Sequence, residues 1–372
     1  MNVDPLATTR NRGNGQRAVR VSLILAYALA AGPLAEAQNP LDRFPVCEPS
    51  AAALVPCEEP GGACLLLGDN EEEENLYLYR IRNGETLEPT SANAFGVPLG
   101  DEISDIEAIA RLGTNEILVF GSHGRDRACG PEGKRRRLLR ARYDAGRLEA
   151  LGEGVVKSKK ISCAQLLQGS AAIAEERRGT AGSMAQAVCA AVDTAEKTAD
   201  EVNERRKENK DRDRAEKECE AASPFNLEGA VAVEHREGSD VWIGLRSPQV
   251  KFGSGPPKAV LLRMAALDKF EFNAAALIDL GGRGVRELTE SGQWIWGIAG
   301  PAQDSDAPFS LWRFPKSNLK PGAIIKPEIV RQLPTSSEGL AVEADKLWVV
   351  IDGGRGKEKC TQAPQVMSIP NR

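Results

Sequence analysis

Five short apolar runs, each closing in a glycine-bearing loop, recur along this chain at nearly one period, and that repeat limits the fold more than any other feature of the sequence. The runs are Leu65-Leu-Leu-Gly-Asp-Asn70, Ile117-Leu-Val-Phe-Gly-Ser-His-Gly124, Val241-Trp-Ile-Gly-Leu-Arg246, Trp294-Ile-Trp-Gly-Ile-Ala-Gly300 and Leu347-Trp-Val-Val-Ile-Asp-Gly353. Their lengths, β-branched and tryptophan content and Gly/Pro flanks mark strands rather than helices. Centred near residues 66, 118, 242, 295 and 348, they stand 52, 124, 53 and 53 residues apart. The stretches outside the first and last run together supply about one more interval, as in a ring whose two ends share the closing blade. Strand repeats of this period are the mark of a β-propeller. The expected fold is all-β: a propeller of five blades by count, with a sixth if the long interval hides one.

A second element repeats with the first. Ahead of four of these strands lies an apolar stretch carrying a charge at one fixed place: Glu107, Glu228, Arg286 and Glu338. These stretches are expected to be the inner strands of blades two to five. An exposed strand simply alternates, so a charge held at one place needs a reason.

The long interval reads differently. No Gly or Pro occurs between Met184 and Pro224, and Val188, Val192, Ala195, Ala199 and Val202 step by 4, 3, 4 and 3, a narrow helical seam. Residues 157–222 are therefore expected to form a helical arm inserted between blades two and three. It is read either as a surface decoration or as a handle for a protein partner.

Residues 1–37 carry Arg10, Arg12, Arg17 and Arg20, an eleven-residue apolar run from Val21 and an Ala-Glu-Ala site ending at Ala37. This is the pattern of a secretory signal peptide, with the propeller occupying 38–372. The run would rise only about 16 Å as a helix, against a hydrocarbon core of about 30 Å, so no membrane span is expected. Export to the periplasm or the medium agrees with eight cysteines that contain no C-x-x-C pair and read as structural disulfides. Cys163 and Cys219 flank the arm and are expected to be bonded to each other. A net charge of −5 excludes a general nucleic-acid binder. The basic run Lys134–Arg137 fits a loop leading into a blade strand. Gly281-Gly-Arg-Gly284 opens no helix, so no nucleotide cofactor is expected.

The runs Gly121-Ser-His-Gly-Arg125, Phe225-Asn-Leu-Glu-Gly229, Gly244-Leu-Arg-Ser-Pro248, Gly281-Gly-Arg-Gly-Val-Arg286, Ala299-Gly-Pro301 and Ser337-Glu-Gly-Leu-Ala341 resemble a bacterial family known as domain of unknown function 3616. The resemblance spans roughly residues 60–355 apart from the arm and implies a propeller distantly similar to phytase-like and lactonase-like ones. It implies no activity. Ala108 stands where that family usually has glycine, and Ile351-Asp-Gly-Gly-Arg355 lacks a second acid that is common there.

In antiparallel blades the starts of the inner strands and the ends of the next strands share one face. That gathers acids and arginines at one channel mouth. Asp69, Asp105, Glu107, Glu228 and Asp352 are candidate ligands for Ca or Mg, which take oxygen donors. Arg125, Arg246, Arg283, Arg286 and Arg355 would clamp a small anionic ligand. Glu228, Glu338 and His123 are the candidate catalytic groups. The function expected is binding, and metal-assisted hydrolysis at an ester bond, of a phosphorylated or acidic small molecule. The alternatives are a salt-bridge ring tying the blades together and a non-catalytic scaffold. Glu228 and Glu338 are expected to be functional and Glu107 structural, because its motif departs from the glycine-bearing pattern.

Overall fold

The computed structural model describes residues 46–370 except 58–61, 72, 83–85, 90–96, 101–102, 145, 158–160, 174, 237, 304–306, 344–345 and 355–364. The expected signal peptide lies outside the described residues. So does any strand that the first 45 residues add to the closing blade.

The strands form five sheets in chain order, antiparallel but for one short parallel pair. Blade one holds β1 (Pro49–Pro56), β2 (Ala63–Asp69), β3 (Asn75–Arg82), β4 (Thr86–Pro89) and β5 (Val97–Pro98), and blade two holds β6 (Ile106–Leu112), β7 (Glu116–Gly121), β8 (Arg137–Asp144) and β9 (Arg147–Lys157). After three helices, blade three follows as β10 (Asn226–His235), β11 (Gly238–Ser247), β12 (Ala259–Ala266) and β13 (Lys269–Ile278). Blade four contains β14 (Gly284–Ser291), β15 (Trp294–Gly300) and β16 (Phe309–Pro315); β17 (Ile324–Ile325) returns to pair with β13, and β18 (Glu328–Leu333) completes blade four. Blade five shows β19 (Ser337–Glu343), β20 (Lys346–Ile351) and β21 (Gln365–Pro370). The five repeated runs are β2, β7, β11, β15 and β20, the second strand of every blade. The charged stretches are the inner strands β6, β10, β14 and β19, which with β1 contact one another in cyclic order.

The repeated runs are apolar throughout because each strand is covered on both faces. Leu65 and Leu67 pack against blade five while Cys64 and Leu66 pack against blade two. In β20, Leu347 and Val349 face blade four and Trp348 and Val350 face blade one. A side-chain period of two thus feeds two cores at once. One apolar cluster lies between each successive pair of blades, the fifth joining blade five to blade one. The hydrophobic effect therefore closes the ring as well as holding each blade.

The inserted helices are α1 (Cys163–Ala171), α2 (Glu175–Asn209) and α3 (Arg212–Ala222). Ser162 caps α1 by accepting from the Gln165 amide, and Asp211 caps α3 by accepting from Arg214. Met184, Ala185, Val188 and Val192 of α2 join Leu166 in the same cluster as Leu227, Phe270 and Phe272 of blade three. At the crossing of α1 over β13, a Cβ on Gly169 would lie 2.1 Å from the Asn273 carbonyl oxygen, so only glycine allows the approach. The insertion is thus packed into the domain and is not a surface decoration.

The disulfides correct one expectation. Cys163 bonds Cys189, pinning α1 to α2, and Cys219 bonds Cys129, pinning α3 to the loop after β7. The arm is fastened to blade two rather than at its own base, because the turn that brings Cys219 home ends beside that loop. Cys57 bonds Cys64, and Cys47 is also disulfide-bonded. These bonds fit an oxidising environment. No helix among the described residues is long and apolar enough to cross a membrane.

Candidate active site at the channel mouth

The inner strands share one irregularity. In each, the pairing with the second strand skips one residue near the start: Ser50 in β1, Glu107 in β6, Glu228 in β10, Arg286 in β14 and Glu338 in β19. A β-bulge leaves its extra residue out of the ladder and re-aims the side chain. Five bulges at one height make a ring of five side chains, all of which line a cavity of about 320 Å³ at the channel mouth. The recurring charge is explained by this bulge. Ser50, the uncharged fifth member, gave no signal in the sequence; its hydroxyl donates to the Ile106 carbonyl of the next blade.

Three members of the ring are bound to one another. Arg286 reaches Glu228 with one nitrogen and Glu338, at 3.0 Å, with the other. Arg246 adds a second guanidinium to Glu228 at 3.1 Å and also donates to the Ala302 carbonyl. Arg286 further stacks over Phe309, 5.3 Å from the ring centroid. Burial nevertheless outweighs Arg286 in its effect on Glu338 and pushes that carboxyl up to about 7.

Glu107 is different. It is 8% exposed and, among the described residues, makes no hydrogen bond or ion pair. Burial first, and then Asp105, Glu228 and Glu338, push its carboxyl well above the ordinary value, with only Arg286 opposing. Its surroundings therefore favour the protonated form, in a polar cavity. Asp105 beside it is paired with Arg135 at 3.0 Å, and burial raises its carboxyl too.

One residue further along each inner strand stand Ala51, Ala108, Gly229, Glu287 and Gly339. Four are small, and a Cβ on Gly229 would lie 3.0 Å from the backbone of Glu287. The room they leave is used by Glu287, which is fully buried and accepts from its neighbour's amide, Leu288, and from Ala52 of β1. Burial drives its carboxyl far up as well. Glu287 lies between the mouth and a second cavity of about 210 Å³ at the far end of the channel, lined by later residues of the same strands. Sequence reasoning passed over it because it sits beside Arg286 with no repeat partner.

The expected site residues divide. Asp105, Glu107, Glu228, Arg246, Arg286, Glu338 and Asp352 do line the mouth, joined by Glu48, Glu71, Arg127, Arg135 and Asn226. Asp69 does not; its carboxylate accepts from the amides of Cys47, Glu48 and Glu71 and fixes a turn. Among the described residues, no three His, Cys, Asp or Glu side chains are grouped so as to hold a metal ion. The five carboxylates expected to share Ca or Mg thus form no such set. His123 is also elsewhere, in a small cavity against α2, stacked on Phe270 with ring centroids 3.6 Å apart and bonded through Nδ1 to the Gly121 carbonyl. Burial lowers its pKa to about 3, so it stays neutral and far from the mouth chemistry. Arg125 is locked to Glu196 and Asp200 of α2, at 2.8 and 2.6 Å. Arg283 donates to the Leu280 carbonyl and the Ser310 hydroxyl. Arg355 lies outside the described residues. The arginine clamp for an anion is therefore largely occupied by the protein's own acceptors. Against the expected division of roles, Glu228 and Glu338 carry the ring's ion pairs and Glu107 carries none.

The profile of a family described as "Protein of unknown function (DUF3616)" matches residues 223–336, about a third of the chain, in line with the motif resemblance. No curated protein matches in sequence. Among solved structures, the GH43_1 enzyme from Xanthomonas citri complexed with xylose is similar at 8% identity over 91% of this chain and 90% of that one, with a TM-score of 0.40. The GH43 endo-arabinanase from Bacillus licheniformis is similar at 10% identity over 88% and 96%, with a TM-score of 0.38. Likenesses at this level carry no argument about the site.

Proposed function

We propose that the channel mouth binds a polyhydroxylated, sugar-like small molecule and hydrolyses it by carboxyl acid–base chemistry, with Glu107 as the proton donor. The observation that supports this most is Glu107 itself: a buried and unpartnered carboxyl facing a cavity, in surroundings that favour its protonated form. Such a group costs stability, and a raised carboxyl is what a general acid working near neutral pH requires. Seven carboxyls and four arginines among the described residues line the mouth, and the best-buried arginines are already paired. That lining suits hydroxyl groups, which both donate and accept, better than a phosphate.

Asp352, at the end of β20, is the candidate base. One of its oxygens accepts from the Gly354 amide and the other has no partner among the described residues. In hydrolysis, Glu107 gives its proton to the leaving oxygen as the C–O bond breaks. A water molecule loses its proton to Asp352 and adds to the carbon. The pairing of a neutral and an ionised carboxyl is the general requirement of such chemistry. The test is a panel of nitrophenyl glycosides and, beside it, nitrophenyl phosphate. Turnover of a glycoside that falls at least a hundredfold in Glu107→Gln is expected. Turnover of the phosphate alone, or activity indifferent to Glu107, would overturn the reading.

A further inference from the structure

The mouth does not end at the ring. It shares Arg127, Arg135, Asn226 and Arg246 with a larger cleft of about 510 Å³ whose far wall is α3. Both volumes are on the scale of ordinary small-molecule sites. Their charge differs in sign: five cationic and three acidic side chains line the cleft, against four and seven at the mouth.

Two of the cleft's cations are uncommitted. Arg127, on the loop after β7, and Lys217, on α3, make no hydrogen bond or ion pair among the described residues, and both are exposed. They stand on opposite walls, each two residues from one half of the Cys129–Cys219 disulfide. The loop bearing Arg127 is rigid for its own reasons. Asp126 accepts from the Ala128 and Gly130 amides, and its own amide donates to the Gly130 carbonyl. A Cβ on Gly130 would lie 2.4 Å from the Asp126 carboxylate, so the turn needs glycine. Two free cations whose backbones are tied by one disulfide can close on the same anion.

We infer that the cleft is a second subsite, in which Arg127 and Lys217 hold the carboxylate of an acidic sugar unit while a neighbouring neutral unit occupies the mouth. The preferred ligand is thus an oligosaccharide containing a uronic acid, and the inserted helices exist to build its binding wall. This rests on the sugar-binding reading of the mouth and adds the length and charge of the ligand to it.

The test is calorimetric binding of oligosaccharides of two to four units that carry a uronic acid beside neutral sugars (glucuronoxylan fragments of several lengths), each against its methyl-esterified form. At least one acidic oligomer is expected to bind ten times tighter than its ester. The Lys217→Ala variant is expected to remove most of that preference, keep the affinity for the ester and melt at the wild-type temperature, since this side chain is exposed and lies outside the mouth. Equal binding of acid and ester, or a preference undiminished in Lys217→Ala, overturns the acidic subsite and leaves the mouth reading standing. Failure of every oligomer, acidic and neutral, overturns both.

Discussion

Arg286 occupies in blade four the bulge that Glu228 occupies in blade three, and the two side chains meet at the channel mouth as a buried ion pair. A cation in a ring of acids lets neighbouring blades attract where a fourth acid would repel. With Glu338 on its other side, Arg286 joins three of the five blades.

Removing Arg286 therefore leaves two buried carboxylates without their shared partner. Arg286→Gln is expected to cost about 3–5 kcal/mol of stability in urea melts, the usual penalty for stranding a buried charge. A loss below about 1 kcal/mol would show that the triad is solvated and holds nothing together.

Stability is expected to fall as pH rises. Burial pushes Glu338 up to about 7 from an ordinary 4.5, and Glu107 and Glu287 are raised well above it. A carboxyl whose folded pKa exceeds its unfolded one stabilises the fold while protonated. That contribution is complete below about pH 4.5 and is lost as pH climbs through the folded value. Scanning calorimetry at pH 5 and pH 8 checks it: the melting temperature should be higher at pH 5, and an equal or higher value at pH 8 would contradict the raised carboxyls.

Replacing residues 164–218 by a short linker is expected to destroy solubility or cooperative melting. The deletion uncovers Phe270 and Phe272 and removes buried Leu166, Met184, Val188 and Val192, each worth about 1.5–3 kcal/mol. It also leaves Cys219 without its native route back to Cys129. A soluble deletion variant with a sharp melt near the wild-type temperature would return the arm to the status of decoration.

The ring was legible in the sequence because two-sided burial forces continuous apolar runs, and five of them at one spacing leave few other folds. The bulge position was legible in four blades because it carries charge. It was hidden at Ser50, where the residue is small and neutral and the hairpin is longer: Ala51 pairs with Gly68, whereas Ala108 pairs with Phe120. The partners were not legible. Whether Arg125 clamps a ligand or Glu196 depends on where α2 lies, and Cys219 finds Cys129 rather than Cys163 for the same reason. His123 looked catalytic in a chain with two histidines, but its left-handed backbone turns it into a small cavity against Phe270 and α2.

The most direct measurement sets Glu107→Gln against Glu228→Gln in thermal melts at pH 4 and pH 7. Glutamine copies the neutral form of Glu107, so that variant should match the wild type near pH 4 and exceed it at pH 7, where unfolding frees the native carboxyl to ionise. Glu228→Gln should lose about 3–5 kcal/mol at pH 7, because Arg286 and Arg246 lose their shared carboxylate. Equal destabilisation of both variants at pH 7 would mean that Glu107 is one more strut of the ring and not the free acid of a site.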